Sequence, residues 1–558
     1  MSTNENVSRR SWLGRVSTAS LGAGLLAAAS PQTVAAETTS LVENTLGVRI
    51  YNVRDFGAKG DGATLDTAAV QAAIDACTKE QGGTVLVPAG IFLIGPIELK
   101  SDVTLHIVAG GKLLGTTDPK QYHPANGIPL EGDHTMGDGN VGLIYAANAE
   151  NVTLEGKGTV DGQGPQVRAA GVGGRGRPYA ALFFRCKNLV IRDLYFLHSA
   201  YHTVRVCNSS QVRIEGIRIF SRTVGNNDGL HFISAEHVAV SNCTVRCQDD
   251  ACALFGSCKF ITVTNCLFST RWSCFRFGGG IAENIAVSNC ILYQVFGCPI
   301  KLRCEPGSRY ENMTFSDLIF KDVTGPISLG AGTQRPVTNP PEGDATRPGG
   351  IIRNISFSNI SGNVITKSAR LDDSEFTGGT NAGEQHSCII LNCVEGNVIE
   401  NISFENIRLT FGGGGTAEDA ARRELPQIAN EYFSLGPMPA YALYARNVRG
   451  VTINNARFET VEPDLRPAMV LDHVADVSIT AMSVAGNKEA EAALRFTSTT
   501  DVLMTATRLL APTAVFLQVE GAASENITID GGDVSKATTA LTLKDGALQA
   551  TVKLRMQA

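Results

Sequence analysis

Short segments of alternating apolar and polar residues recur along most of this chain, about two dozen residues apart. Each segment begins with a turn-forming residue, most often Asn, and continues as an alternation of period two, which is typical of a strand. Second residues of the early copies are 23, 26, 23 and 24 positions apart, and those of the late copies are 26, 25 and 25 apart. The copies begin at Asn188, Gln211, His237, Phe260, Asn284, Asn312, Asn354, Asn401, Gly450, Asp476, Asp501 and Asn526. Repetition on this scale predicts a solenoid.

Helical patterns are absent between these segments, and hairpin dipeptides do not join them. The pattern therefore predicts an all-β parallel β-helix, in which each coil supplies about three strands and pairs with the next coil at about 4.8 Å. One helix-like run, from Thr67 to Cys77, precedes the repeats, with Asp66 as its expected N-cap. We expect this helix to cover the open apolar end of the solenoid.

Cysteine positions follow the repeat as well. Cys243, Cys266 and Cys290 each lie five residues after the second residue of their segment, so they are expected to form one column. Free cysteine behaves as a small buried apolar residue, and parallel side chains in one column are poorly oriented for a disulfide. We therefore expect most of the 14 cysteines to be buried free thiols.

The first 36 residues have the order of a twin-arginine export signal. Arg9 and Arg10 precede a mildly apolar stretch, and Val34-Ala35-Ala36 is a small-residue cleavage site. This pattern predicts export to the periplasm or the exterior, with no integral membrane segment after the signal is removed. Trp272 would then be the only Trp of the mature protein.

Length and charge narrow the function classes. With 558 residues the chain exceeds what one compact core usually holds, which fits an elongated repeat. Its net charge of −6 gives no basic face for nucleic acid. Neither metal-ligand spacing nor a phosphate-binding glycine loop occurs, so we expect no cofactor and no metal.

Two opening phrases and two acidic motifs resemble glycoside hydrolase family 28, the polygalacturonase family of pectin-degrading enzymes. The phrases are Asp55–Gly62 and Val85–Gly90. The family's N-T-D motif corresponds to Asn226-Asn227-Asp228, and its D-D motif to Asp249-Asp250. The resemblance covers residues 50–330 well and implies a right-handed parallel β-helix with a pectin-lyase-like fold.

Two further motifs of that family, G-H-G and R-I-K, are incomplete here. In the register of the coils the family's His falls at Ser273 and its Arg at Pro299, while its Lys is Lys301. His231, Arg276 and Lys301 share one column, three residues beyond the acidic one. We infer that Arg276 replaces the missing cation.

Inverting glycoside hydrolysis needs one protonated carboxyl at the leaving oxygen and another group that holds water. Stacking places Asp228 over Asp250, which can position a water, with Asp249 displaced sideways towards the glycosidic oxygen. The resemblance implies the same roles, with Asp249 as acid and Asp228 and Asp250 activating water. The residues expected to bind substrate are Asn226, His231, Trp272, Arg276 and Lys301.

The expected organisation has five parts. They are the signal at 1–36, a cap with the first strands at 37–100, catalytic coils at 101–411, a loop insertion at 412–440 and C-terminal coils at 441–558. A second irregular insertion covers 331–350. Both insertions are candidates to close one end of a cleft and favour attack at chain ends, although endo or exo action stays open.

The leading prediction is an exported inverting glycosidase that acts on a pectin-like or other acidic polysaccharide or oligosaccharide, and we expect a monomer. Two alternatives use the same scaffold. One is a polysaccharide lyase, with Arg276 or Lys301 as base and Ca²⁺ on the carboxylates. The other is a carbohydrate-binding solenoid without catalysis, favoured by the missing His and Arg.

Overall fold

Strands that follow one another at the repeat interval pair in parallel, coil after coil, as the pattern predicted. The computed structural model describes residues 49–129, 139–335, 347–367, 371, 373 and 383–555. These residues wind as a right-handed parallel β-helix with three strand positions per coil, which we call sheets 1, 2 and 3. The proposed export signal lies outside the described residues.

Sheet 1 contains the strands that follow the two acidic motifs along the chain. Its 15 strands are Ile97–Glu98, Gly142–Ala147, Tyr179–Phe184, Val204–Cys207, Leu230–Ile233, Cys252–Phe255, Phe275–Gly278, Ile300–Cys304, Ile327–Ala331, Ile389–Cys393, Leu443–Arg446, Met469–Asp472, Leu494–Thr497, Thr513–Glu520 and Ala537–Lys544.

Sheets 2 and 3 follow in each coil and merge where single long strands serve both. Sheet 2 comprises Ile50–Asn52, Gly83–Val87, Val103–Ile107, Glu150–Gly156, Lys187–Arg192, Ser210–Glu215, Glu236–Ser241, Lys259–Thr264, Ile281–Val295, Arg309–Val323, Ile351–Val364, Val398–Phe411, Arg449–Asn454, Ala475–Thr480, Thr500–Thr505, Glu525–Asp530 and Val552–Arg555. Sheet 3 comprises Asp61–Leu65, Gly90–Ile94, Gly111–Gly115, Thr159–Asp161, Tyr195–Leu197, Arg218–Ser221, Thr244–Cys247, Leu267–Thr270, Arg457–Thr460, Ser483–Val484 and Arg508–Leu509.

A ladder of left-handed residues explains why Asn recurs at the start of each repeat. Asn312, Asn354 and Asn401 have φ of 58°, 56° and 56°, a conformation that Asn tolerates better than most residues. The Asn354 amide donates to Asn312 Oδ1 at 3.2 Å, and Asn401 donates to Asn354 Oδ1 at 3.2 Å. An amide both donates and accepts, so the bonds continue along the helix axis.

The interior of the coils is apolar and stacked. Phe315, Phe357 and Phe404 lie face to face, with ring centroids 5.3 and 5.1 Å apart. All 14 cysteines are free and buried, which confirms the thiol prediction, and Cys243, Cys266 and Cys290 lie in the same interior. Burial raises the pKa of the Cys252 and Cys274 thiols well above the usual value, so these groups stay protonated.

The expected helix is present as Thr67–Lys79, two residues longer than predicted, and buries Val70, Ala73, Ile74 and Cys77 over the first coils. One detail of the prediction was wrong. Asp66 occupies the N-cap position, but its carboxylate makes no capping bond. It accepts instead from the backbone of Lys59 and Gly60 at 2.7 and 2.9 Å, because the preceding loop brings those donors closer.

The remaining helices of the described residues are short. They are the α-helices Gly164–Ala169, Ala417–Ala421 and Tyr432–Leu435 and the 3-10 helices Val53–Phe56, Pro119–Gln121, Gly174–Gly176, Glu384–His386 and Gln549–Thr551. Among the described residues, no helix is long and apolar enough to cross a membrane.

The insertion at 412–440 packs against sheet 1. Asn392 donates to the carbonyl of Ile428 at 2.7 Å, and Arg446 donates to the carbonyl of Leu425 at 3.1 Å. These bonds fix the loop against the sheet 1 strands Ile389–Cys393 and Leu443–Arg446, several coils beyond the acidic motifs. Of the insertion at 331–350, only the two ends are described.

Candidate active site

The strand register places the acidic motifs on one level of the helix. Leu230 pairs with Cys252, which pairs with Phe275, which pairs with Ile300. Residues two positions earlier therefore stand in line, in the order Asp228, Asp250, Ser273 and Cys298. This confirms the register predicted from the sequence. The same pairing puts His231, Arg276 and Lys301 in one column, with Ala253 between the first two.

Asn227 shapes the turn that presents the first acidic motif. Its buried side chain accepts from the backbone of Val224 at 3.0 Å and donates to the carbonyls of Ser199 and Tyr201 at 2.7 and 2.9 Å. Its own carbonyl accepts from the backbone N–H of Asp249 at 3.2 Å. The side chain of Asn227 thus joins its own turn to that of the preceding coil, and its backbone carbonyl joins the following coil. The buried side-chain amide is a structural reason for Asn at this position.

Asp249 and Asp250 differ in surroundings although they are adjacent. Asp250 is buried and accepts from the Ser273 backbone at 3.1 Å. Asp249 keeps part of its surface exposed, and Asn226 Nδ2 lies 3.4 Å from its Oδ2. Desolvation, followed by the charges of Asp228 and Asp250, raises the pKa of Asp249 well above its ordinary value of 3.8. The environment thus favours a protonated carboxyl at Asp249.

Two stacked histidines hold Asp228. His231 Nδ1 lies 2.8 Å from Asp228 Oδ2, and His202 Nε2 lies 3.5 Å from Asp228 Oδ1. Their rings are parallel within 8°, with centroids 4.4 Å apart. All three side chains are buried, and desolvation lowers the pKa of His202 well below 6.5. His231 therefore contacts the acidic motif, although we expected it to bind substrate.

His202 is a residue that sequence reasoning missed as a site residue. The only signal for it was its place one coil before His231. One group of three side chains in the described chain has possible metal-ligand atoms within 4.8 Å of one another. It consists of His202, Asp228 and His231. The 2.8 Å contact between His231 and Asp228 has the length of a hydrogen bond. We therefore interpret the group as a carboxylate held by two imidazoles.

Lys301 and Arg303, two cations of one sheet 1 strand, are paired with a carboxylate from the insertion. Lys301 Nζ lies 3.4 Å from Glu431 Oε1, and Arg303 contacts Glu431 Oε2. All three side chains are buried. Desolvation lowers the pKa of Lys301 to about 8 although the charge of Asp250 opposes the shift. Sequence reasoning named Lys301 as a substrate-binding residue and had no signal for Glu431.

Trp272 stands beside this ion pair with one side partly exposed. Lys301 Nζ lies 5.9 Å from the Trp272 ring centroid, and Phe433 meets the indole edge-on at 5.3 Å. The neighbouring Arg271 is paired with Glu384 at 2.9 Å in a buried contact. Trp272 thus lies beside the ion pair of Lys301 with Glu431, and its contact with a sugar stays a prediction.

Arg276 is the most accessible cation of the column. It is half-buried over the ring of Phe255, with 5.4 Å between its guanidinium carbon and the ring centroid. It lines a cavity of 460 Å³ together with Glu305 and Ser308. A guanidinium at the edge of an open cavity is well placed to receive a carboxylate or hydroxyl groups.

The profile of glycosyl hydrolases family 28 matches residues 77–422, well over half of the chain. The chain belongs to this family. An exo-poly-alpha-D-galacturonosidase of Dickeya chrysanthemi is 28% identical over 263 residues, which make up 42% of this chain and 43% of that relative. The match thus spans less than half of that relative's length. An exopolygalacturonase of Platanus acerifolia is 24% identical over 401 residues, or 68% of this chain and 96% of the relative.

One solved structure with a TM-score above 0.5 agrees with the fold. A tailspike protein of Escherichia coli bacteriophage HK620 superposes with a TM-score of 0.51 at 13% identity, covering 90% of this chain and 80% of that one. A family 28 exopolygalacturonase of Yersinia enterocolitica has a TM-score of 0.46 at 16% identity and covers 92% and 79%. At such identities the tailspike likeness concerns the β-helix alone.

This member of family 28 has an incomplete set of the motifs that mark the family. Ser273 and Pro299 stand on the levels where the motifs G-H-G and R-I-K place His and Arg. The described residues next to Asp228 nevertheless include two imidazoles, His231 on the same coil and His202 one coil earlier.

Proposed function

We propose that this polygalacturonase-like protein is an exported glycosidase that hydrolyses a pectin-like polysaccharide with inversion. The observation that carries the proposal is the environment of Asp249. Its carboxyl is partly exposed, and burial and two neighbouring carboxylates raise its pKa. A carboxyl that stays protonated in an open cleft is suited to act as a general acid.

In the proposed reaction, Asp249 donates its proton to the glycosidic oxygen as the bond to the anomeric carbon breaks. Asp228 and Asp250, on adjacent coils, hold a water molecule on the opposite face of the sugar. That water attacks the anomeric carbon, and one of the two carboxylates accepts its proton. Three carboxyl groups thus supply the general acid and the groups that activate water, and no cofactor enters the scheme.

The histidines and Arg276 have supporting roles in the proposal. His231 and His202 contact Asp228 and keep its oxygens directed towards the water position. Asn226, which is exposed beside Asp249, and Trp272 contact the sugar, and Arg276 receives a carboxylate in the adjoining cavity. The ammonium group of Lys301 stabilises the negative charge of the Asp250 carboxylate.

We also propose action at chain ends, by a monomer exported through the twin-arginine pathway. The helix Tyr432–Leu435 packs next to Trp272 and supports a closed end of the cleft. The order of the parts in residues 1–36 supports export. The division into a cap, catalytic coils, the 412–440 insertion and C-terminal coils belongs to the same proposal.

The test is hydrolysis of homogalacturonan by the purified mature protein, followed by NMR of the first products. We expect new reducing ends of inverted anomeric configuration, released as short units from chain ends. Retained configuration would overturn the mechanism. Unsaturated products that absorb in the near ultraviolet would identify a lyase instead, and binding without any product would identify a non-catalytic solenoid.

A further inference from the structure

Glu431 of the 412–440 insertion places its carboxylate against Lys301 and Arg303. We propose that Glu431 is a specificity residue, so that the sugar beside Lys301 is one without a carboxylate, such as a neutral hexose or a methyl-esterified uronate. The inference rests on the proposed function for the substrate class. It goes beyond that function because it states whether the sugar bound beside Lys301 carries a charge.

The contacts of Glu431 leave neither cation free. One carboxylate oxygen lies 3.4 Å from Lys301 Nζ, and the other contacts the guanidinium of Arg303. Glu431 is 5% exposed, Lys301 7% and Arg303 1%, so water competes little for these groups. A substrate carboxylate at this place would have to displace Glu431 or bind next to its negative charge.

The backbone around Glu431 is held firmly, which argues against displacement. Tyr432 is fully buried, and its hydroxyl donates to the carbonyl of Phe296 at 3.0 Å and lies 2.8 Å from Thr324 Oγ1. The backbone N–H of Ala429 donates to the carbonyl of Thr333 at 2.7 Å. Displacing the Glu431 side chain from this fixed backbone would leave the buried Lys301 and Arg303 without their carboxylate, which is costly.

The neighbouring rings complete an uncharged surface over Lys301. Its ammonium lies 5.9 Å from the centroid of Trp272 and 5.6 Å from that of Phe433. The partly exposed faces of these rings are suited to the apolar face of a sugar. Arg276, with no carboxylate contact among the described ion pairs, stays available for a charged sugar at the adjoining position.

The experiment compares two galacturonate oligomers of equal length, one fully methyl-esterified and one fully de-esterified. Binding is measured by calorimetry in the Asp249→Asn background, so that the oligomers stay intact. Glu431→Gln is added to that background, and Glu424→Gln is the matched control. Glu424 belongs to the same insertion but is exposed, and it lines a different cavity.

Arg276 favours the de-esterified oligomer in every form, so the measured quantity is the ratio of the two affinities, which we expect to be the same in the background protein and in the Glu424→Gln form. Glu431→Gln should shift the ratio of the two affinities towards the de-esterified oligomer by about tenfold or more, because a charge a few ångströms away is removed. Glu431→Asp should keep the original preference, since it keeps the charge. Thermal melting of each variant checks that it is folded.

An unchanged ratio in a folded Glu431→Gln protein would overturn the inference. The expected shift in the ratio, together with a wild-type protein that hydrolyses neither oligomer, would support the inference and reject the proposed catalysis. Failure of every form to bind either oligomer would reject both.

Discussion

Replacing Asp249 by Asn tests the proposed general acid and the linkage between its proton and stability. The substitution keeps the size of the side chain and removes both the proton to be donated and the charge. General acid catalysis contributes about 10²–10⁴-fold to rate. We therefore expect kcat to fall by that factor, which corresponds to roughly 3–5 kcal/mol in the activation barrier.

The same substitution should lower kcat without lowering the stability of the folded protein. Desolvation and the charges of Asp228 and Asp250 raise the pKa of Asp249 above 3.8 in the folded state. The folded protein then binds a proton that the unfolded chain releases, so its stability falls as pH rises from 3.8 through the raised value. Each unit of such a shift is worth about 1.4 kcal/mol. Asp249→Asn should therefore be at least as stable as the wild type at neutral pH.

The assays are reducing-sugar release from homogalacturonan and thermal melting at several pH values between about 4 and 7. Asp501→Asn is the matched control, because Asp501 is an exposed coil-turn residue far along the chain, and it should leave kcat unchanged. A folded Asp249→Asn enzyme with wild-type kcat would refute the assignment of the acid. A variant that loses stability as pH rises, relative to the wild type, would refute the electrostatic reasoning.

Three further predictions concern other parts of the molecule. His231→Ala should lower kcat by about 10- to 100-fold, because the buried carboxylate of Asp228 loses a hydrogen bond that is worth roughly 1.5–3 kcal/mol. His231→Gln should recover part of the rate in the same kinetic assay. Phe357→Ala should cost about 3–5 kcal/mol in urea unfolding, since it opens a cavity in the middle of the aromatic stack, and a loss below about 1 kcal/mol would contradict that packing. In the absence of reductant, all 14 thiols should react with a thiol reagent in the denatured protein and be protected in the folded one. Fewer than 14 reactive thiols after denaturation would indicate disulfides.

Much of the fold could be predicted because the information is local and periodic. A strand pairs with its counterpart one coil away, so equal offsets in successive repeats become neighbours in space. Repeat spacing alone therefore places Asp228 over Asp250 and aligns Arg276 with Lys301, and the observed strand pairing agrees. The left-handed Asn ladder makes the repeat visible, since few other residues tolerate that conformation.

Contacts made by irregular segments could not be predicted in the same way. Nothing in the spacing of residues 412–440 indicates that Glu431 meets Lys301, or that Phe433 meets Trp272, because a loop has no period and its docking depends on long-range packing. The ion pair of Arg271 with Glu384 joins residues 113 positions apart for the same reason.

Features that repeat from coil to coil are thus encoded in the spacing of the residues, and they include the β-helix, its register, the buried thiols and the line of carboxyl groups. How those carboxyl groups are supported depends on the folded chain as a whole. Folding brings the imidazoles of His231 and His202 against the carboxylate of Asp228. It also pairs Lys301 with Glu431. These contacts depend on side-chain direction and loop packing, which have no period along the chain, and they set the charge around the acidic residues.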